Sequence, residues 1–125
     1  MSNPANPKDW AQKAEEDYQI ANTLLRRKLP LTYGSTFHAQ QMAEKYLKGL
    51  LVLQSIVPPK THDLVALAGL CNQVGYILPV TTVDLQKLSD YAIRSRYPGN
   101  DPTLVEAKDA LKIAKSVRKF AKPLL

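Results

Sequence analysis

The stretch FHAQQMAEKYLKGLL, residues 37–51, has the periodicity of one long helix with two chemically different sides. At about 100° per residue, its apolar residues fall on one broad face. They are Ala39, Met42, Ala43, Tyr46, Leu47 and Leu50, with Leu53 continuing the row. The opposite side, called here the polar face, carries His38, Gln41, Glu44, Lys45 and Lys48. The pattern predicts a helix that packs on a core by one side only.

The polar face has two interpretations. An ordinary solvated face accepts any mixture of polar residues. Side chains three, four and seven positions apart on a helix are also within reach of one another. An imidazole, an amide, a carboxylate and two ammonium groups could therefore hold a polar, anionic ligand or partner together. The five side chains of the polar face are candidate ligand-binding residues, and both interpretations stay open.

Four further helices are expected around this one. The starts of all five are marked by capping residues or prolines: Asn6-Pro7, residues 32–35, Thr61, Thr81 or Thr82, and Thr103. No strand alternation is visible. The sequence therefore predicts an all-α antiparallel bundle of about five helices, forming a single domain over residues 1–125 with residues 1–7 flexible. Asp17 falls inside the apolar stripe of the first helix, so we expect a paired, partly buried carboxylate there.

The composition limits the partners more than it limits the fold. The chain has 125 residues, 45% of them hydrophobic and 22% charged, which suits one globular core. A formal net charge of +6 and a pI near 9.5 favour anionic partners such as RNA, nucleotides or an acidic protein. Simple solubility charge accounts for the same numbers equally well.

The single cysteine, Cys71, excludes a disulfide framework within the chain. Its apolar neighbours suggest a small buried side chain, and a reducing compartment is the natural one. The N-terminus lacks a basic segment followed by an apolar run, and no apolar stretch is long enough to span a bilayer. We therefore expect a soluble, cytoplasmic protein with no membrane partner.

The segment from Arg94 to Pro98, with sequence RSRYP, is a second candidate site. Two guanidiniums at positions i and i+2 can reach one anion together. They can equally pair with carboxylates such as Glu44 or Asp17 inside the bundle. Tyr97 either packs on Pro98 or exposes its hydroxyl. Arg94, Arg96 and Tyr97 are thus candidate binding residues, and a structural role is an open alternative.

The remaining polar groups indicate less. His38 and His62 are the only histidines, and no acidic or cysteine residues stand at ligand spacing, so neither a metal site nor a cofactor is expected. His62, at a helix start, suits a capping or packing role. A lysine stripe on the last helix consists of Lys108, Lys112, Lys115, Lys119 and Lys122. Its spacing fits a solvated face, and it would also suit contacts to phosphates.

Three segments in order resemble the HEPN family, the higher-eukaryote and prokaryote nucleotide-binding domain. They are residues 37–48, residues 60–64 (KTHDL) and residues 94–98, and the similarity extends from about Trp10 to Phe120. The resemblance implies a compact helical bundle that is commonly a homodimer. It also implies a gene often encoded beside a minimal nucleotidyltransferase, in a pair of the toxin–antitoxin kind.

Many members of that family are metal-independent ribonucleases that use an arginine followed a few residues later by a histidine. No histidine follows Arg94 or Arg96 here, where the nearest polar residues are Asn100 and Asp101. Neither replaces an imidazole as a proton shuttle near neutral pH. The leading hypothesis is therefore a module that binds a nucleotide, RNA or a nucleotidyltransferase without strong catalysis. A metal-independent endoribonuclease using Arg94 or Arg96 with His38, and a purely structural homodimer, are the alternatives.

Overall fold

The computed structural model describes residues 6–125 and contains five α-helices. They are α1 (Pro7–Arg26), α2 (Thr32–Leu53), α3 (Leu64–Gln73), α4 (Thr82–Arg94) and α5 (Leu104–Ala121). A short 3-10 helix, Lys122–Leu124, follows α5. Residues 6–125 contain no strand, so the predicted all-α bundle is confirmed. Of the seven residues expected to be flexible, 1–5 lie outside the described part, and Pro7 is the first residue of α1.

Most helix starts follow from the capping residues in the sequence. The Asn6 side chain accepts a hydrogen bond from the backbone N–H of Lys8 at 3.0 Å, with proline at the first position of α1. Thr81 caps α4. At α5, Thr103 and Glu106 form a reciprocal capping box that satisfies two backbone N–H groups at the helix end.

The predicted cap of α3 is wrong by two residues. The cap is Asp63, whose carboxylate accepts from the backbone N–H groups of Val65 and Ala66 at 3.0 and 3.2 Å. The Thr61 hydroxyl accepts from the backbone N–H of Asp63 at 3.1 Å and so supports the cap from outside. An anionic carboxylate suits the positive end of the helix better than a neutral hydroxyl does.

Helix α2 lies at the centre and packs against all four other helices, most extensively against α1. α1 and α2 run antiparallel. At one end the hydroxyl of Ser35 donates to the carbonyl of Ala21 at 2.8 Å, and at the other Gly49 lies against Trp10. α4 and α5 form a second antiparallel hairpin. A helix surrounded in this way must place even its polar side chains close to neighbouring helices.

One apolar core joins the five helices. Its largest fully buried side chains come chiefly from α2, and include Tyr46, Met42, Leu47, Leu50 and Leu51. Cys71 is fully buried as expected, and burial raises the pKa of its thiol to about 11. Such a thiol stays protonated at neutral pH and acts as a small apolar side chain.

Candidate functional site

A buried carboxylate of α1 joins two side chains of the polar face. Asp17 is only 5% exposed. One carboxylate oxygen lies 2.8 Å from His38 Nδ1, and the other lies 2.5 Å from Lys45 Nζ. The expectation that Asp17 is a paired, largely buried carboxylate is thus confirmed. Because an isolated buried charge is costly, both contacts are needed to hold Asp17 ionised in this position.

A second carboxylate on the same side of α2 repeats the arrangement. Glu44 is 4% exposed, and its oxygens lie 2.8 Å from His62 Nδ1 and 3.2 Å from Lys48 Nζ. The side-chain amide of Gln40 donates to the carbonyl oxygen of His62 at 3.2 Å. These contacts fasten the segment before α3 onto α2. His62 therefore packs against α2 through Glu44, whereas Asp63 provides the cap.

Each carboxylate sets the orientation of its imidazole. An ionised carboxylate only accepts hydrogen bonds, so Nδ1 of each histidine must carry the proton in this arrangement. In a neutral ring Nε2 is then left as an acceptor. The side chain of His62 is 74% exposed and that of His38 is 27% exposed. The two carboxylate–imidazole pairs can therefore present an oriented ring nitrogen to a ligand.

The polar face is not the open surface that the sequence suggested. Glu44 and Lys48 are buried, whereas His38, Gln41 and Lys45 are partly exposed. α1 covers one flank, and the segment before α3 covers the other. The Lys48 ammonium even lies 5.9 Å from the centroid of the Trp10 ring. The predicted surface is thus wrong for Glu44 and Lys48, and a narrower exposed strip is left.

The arginines after α4 do not reach that strip. Arg94 donates to Glu106 at 2.7 Å, and this bond lowers the pKa of Glu106. The expected pairing of Arg94 with Glu44 or Asp17 is therefore wrong. The α4–α5 hairpin sets Arg94 opposite the capping box, whose carboxylate is already fixed by Thr103.

The other residues of that segment face solvent. Arg96 is exposed and has no ion-pair partner within residues 6–125, and Tyr97 is 64% exposed. The candidate catalytic set is not assembled within the chain. His38 contacts Asp17 and Phe37, whereas Arg94 contacts Glu106 and Tyr91.

Sequence reasoning missed a third charged cluster, around Glu15. Arg118 binds both oxygens of this carboxylate at 2.8 and 2.9 Å, Lys122 approaches at 3.1 Å, and the Tyr46 hydroxyl donates to it. The hydrogen bond from Arg118 is the main reason that the pKa of Glu15 falls to about 2. Burial and the Glu15 carboxylate raise the pKa of Tyr46. The partners lie 103 residues apart, so no local pattern could reveal the pair.

Two classes of site find no support in the described residues. Within residues 6–125 no group of three or more histidine, cysteine or acidic side chains is placed to hold a metal ion. No helix in the same range is both long and apolar enough to cross a membrane.

A helical bundle with buried carboxylates pairing the cations of its central helix is the class of protein that these observations define. The family model for the HEPN domain matches residues 7–124, and the chain therefore belongs to the HEPN family of helical nucleotide-binding modules. No curated protein sequence matches it significantly.

Two solved structures share the fold. TT1696 from Thermus thermophilus is 26% identical, with a TM-score of 0.74, over 95% of this chain and 98% of that one. ST0689, an archaeal HEPN homologue, is 22% identical, with a TM-score of 0.69, over 99% of this chain and 98% of that one.

Proposed function

We propose that this chain is a binding module without strong catalytic activity. Its ligand is a nucleotide or RNA, and its protein partner is a minimal nucleotidyltransferase in a pair of the toxin–antitoxin kind. Membership of a nucleotide-binding family and the net charge of +6 support an anionic ligand. One observation carries the non-catalytic part: the two histidines are held by carboxylates of α1 and α2, while the arginines stand elsewhere.

The contact for a nucleotide is proposed at the exposed strip of α2. His38, Gln41 and Lys45 supply two donors and an oriented imidazole there, and His62 adds a second imidazole from the neighbouring segment. The strip is not strongly cationic, because Asp17 and Glu44 balance Lys45 and Lys48. Hydrogen bonding to the polar edge of a base or sugar suits such a site better than charge alone does.

A cleavage assay and a binding assay separate this proposal from the endoribonuclease alternative. We expect RNA incubated with the protein and a metal chelator to stay intact, while the same RNA is retained in a binding measurement. Cleavage that disappears in Arg94→Ala or His38→Ala would contradict the proposal and establish the ribonuclease. Retention of neither RNA nor a fluorescent adenine nucleotide would contradict the binding function itself.

The two arginines should respond differently to substitution. Arg96 has no described partner, so Arg96→Ala is expected to weaken nucleotide or RNA binding and to leave the melting temperature unchanged. Arg94 is bound to Glu106, so Arg94→Ala is expected to lower the melting temperature slightly. Binding titrations and thermal melts on each variant measure the two effects. If Arg96→Ala leaves both quantities unchanged, Arg96 is surface charge only.

A homodimer is the second proposal, and exposed apolar residues favour it. Ile93 and Tyr97 are 53% and 64% exposed at the end of α4, and Val105 is 77% exposed in the first turn of α5. Leu104 beside it is 42% exposed. These four residues, the apolar tip of the α4–α5 hairpin, surround the Arg94–Glu106 ion pair. Apolar side chains around a central ion pair suit a self-complementary contact with a second copy of the chain.

A further inference from the structure

A groove runs along the outer side of α5, away from the strip of α2. It has a volume of about 670 Å³, and all five side chains of the lysine stripe line it. Its apolar part is formed by Leu25 of α1 with Leu111 and Pro123. The stripe is therefore not a plain solvated face, because its cations border a cavity with an apolar floor.

The charge along this groove is largely uncompensated. The acidic residues of α5 point towards α4, where Glu106 binds Arg94 and Asp109 binds Lys87. In the groove only Lys122 reaches a carboxylate, that of Glu15. The other four lysines make no ion pair within residues 6–125.

The spacing of the cations is regular. The stripe repeats every three or four residues from Lys108 to Lys122, which is roughly 21 Å along the helix axis at 1.5 Å per residue. A polymer with a negative charge on every unit matches such a row. A phosphodiester chain always has that property, whereas a protein segment has it only within an unbroken acidic run. A single row also fits one strand better than a duplex, whose two backbones would need two rows.

We propose that this groove binds single-stranded RNA through its backbone phosphates. The lysines contact successive phosphates, and the sugars lie over the apolar floor formed by Leu25, Leu111 and Pro123. No aromatic side chain lines the groove, so bases are not stacked and the binding is independent of sequence. Lysine suits this role as a mobile point charge. The inference does not rest on the nucleotide site proposed at α2, because the two sites share no residue.

The test measures binding of a fluorescent 12-nucleotide oligouridine as a function of salt. We expect the double variant Lys112→Gln/Lys115→Gln to bind on the order of twentyfold more weakly at 0.1 M salt, because each lost contact in a single strand removes about 0.7 from the slope of log K against log salt. That slope should fall by about 1.4. Lys13→Gln/Lys60→Gln removes the same charge from exposed positions outside the groove and should leave both quantities nearly unchanged.

Further variants control for stability and for the site at α2. Circular dichroism melts must be alike for both double variants, and Lys108→Gln/Lys119→Gln repeats the test where one of them is less stable. His62→Gln/Arg96→Gln, which alters the groups proposed to bind nucleotide, should leave oligouridine binding unchanged. The proposal is overturned if the wild type fails to bind, if the two charge-matched variants lose affinity equally, or if His62→Gln/Arg96→Gln loses as much. Competition by polyglutamate at equal charge as strong as by RNA would overturn it in favour of an acidic protein segment.

Discussion

Glu15 is the carboxylate whose ionisation the fold controls most directly. Its pKa is about 2 in the folded protein, against 4.5 for an ordinary glutamate, chiefly because Arg118 donates to it. A lowered folded-state pKa means that the ion pair contributes its full stability above the unfolded pKa. That contribution is lost as the pH falls from about 4.5 through about 2.

Replacing Glu15 by glutamine should therefore destabilise the protein in a pH-dependent way. At neutral pH we expect the free energy of unfolding to fall by about 1–2 kcal/mol, a figure reduced for the quarter of the side chain that solvent reaches. The difference between Glu15→Gln and wild type should narrow below pH 4.5. Urea titrations at pH 7 and near pH 3 measure it. Exposed Glu16 is the matched control, and a constant difference at both pH values would contradict the assignment.

At the scale of single residues, the sequence predicted burial better than it predicted partners. Asp17 could be identified because a charge inside an apolar stripe must be neutralised. Arg94 was assigned the wrong carboxylate, since its partner Glu106 is selected by the α4–α5 hairpin and not by spacing. Glu15 was missed altogether, because Arg118 lies in another helix at the far end of the chain.

At the scale of elements, the helix starts were predictable and their packing was not. Caps act within a few residues, so Asn6, Thr81 and Thr103 could be recognised from the sequence alone. The covering of the polar face was not predictable, because it depends on where α1 and the segment before α3 lie. Burial of Glu44 and Lys48 is a property of that arrangement.

The closeness of α1 and α2 can be tested at Gly49. A Cβ atom there would lie 3.2 Å from Trp10 Cβ and 3.0 Å from a Leu125 methyl, so Gly49→Ala must displace α1 or the chain end. We expect a net destabilisation of about 1–2 kcal/mol, the cost of overpacking outweighing the helix propensity of alanine. Thermal or urea unfolding measures it.

Gly69 in α3 is the control for that substitution. No atom lies within 4 Å of the position of a Cβ there, so Gly69→Ala should stabilise the protein by up to about 1 kcal/mol through helix propensity alone. Equal effects of the two substitutions would show that α1 and α2 are not in close contact at Gly49.

At the scale of the whole molecule, we expect a homodimer held by the apolar tip of the α4–α5 hairpin. Light scattering should give twice the chain mass at micromolar concentration. Val105→Lys with Ile93→Lys should give a folded monomer, because like charges would meet across the contact. Val57→Lys with Ile77→Lys alters residues that are each 88% exposed elsewhere and should leave the dimer intact. A wild-type monomer at high concentration would contradict the proposal.

The central place of α2 has a consequence for how the protein opens. Amide hydrogens in the middle of α2 are covered by four other helices, so they should exchange with solvent only when the whole molecule unfolds. Those of the ten-residue helix α3 should exchange through smaller fluctuations at lower free energy. Native-state hydrogen exchange would then reveal two tiers of protection. In that case the segment carrying His62 could detach and reattach while the core around Tyr46 stays closed.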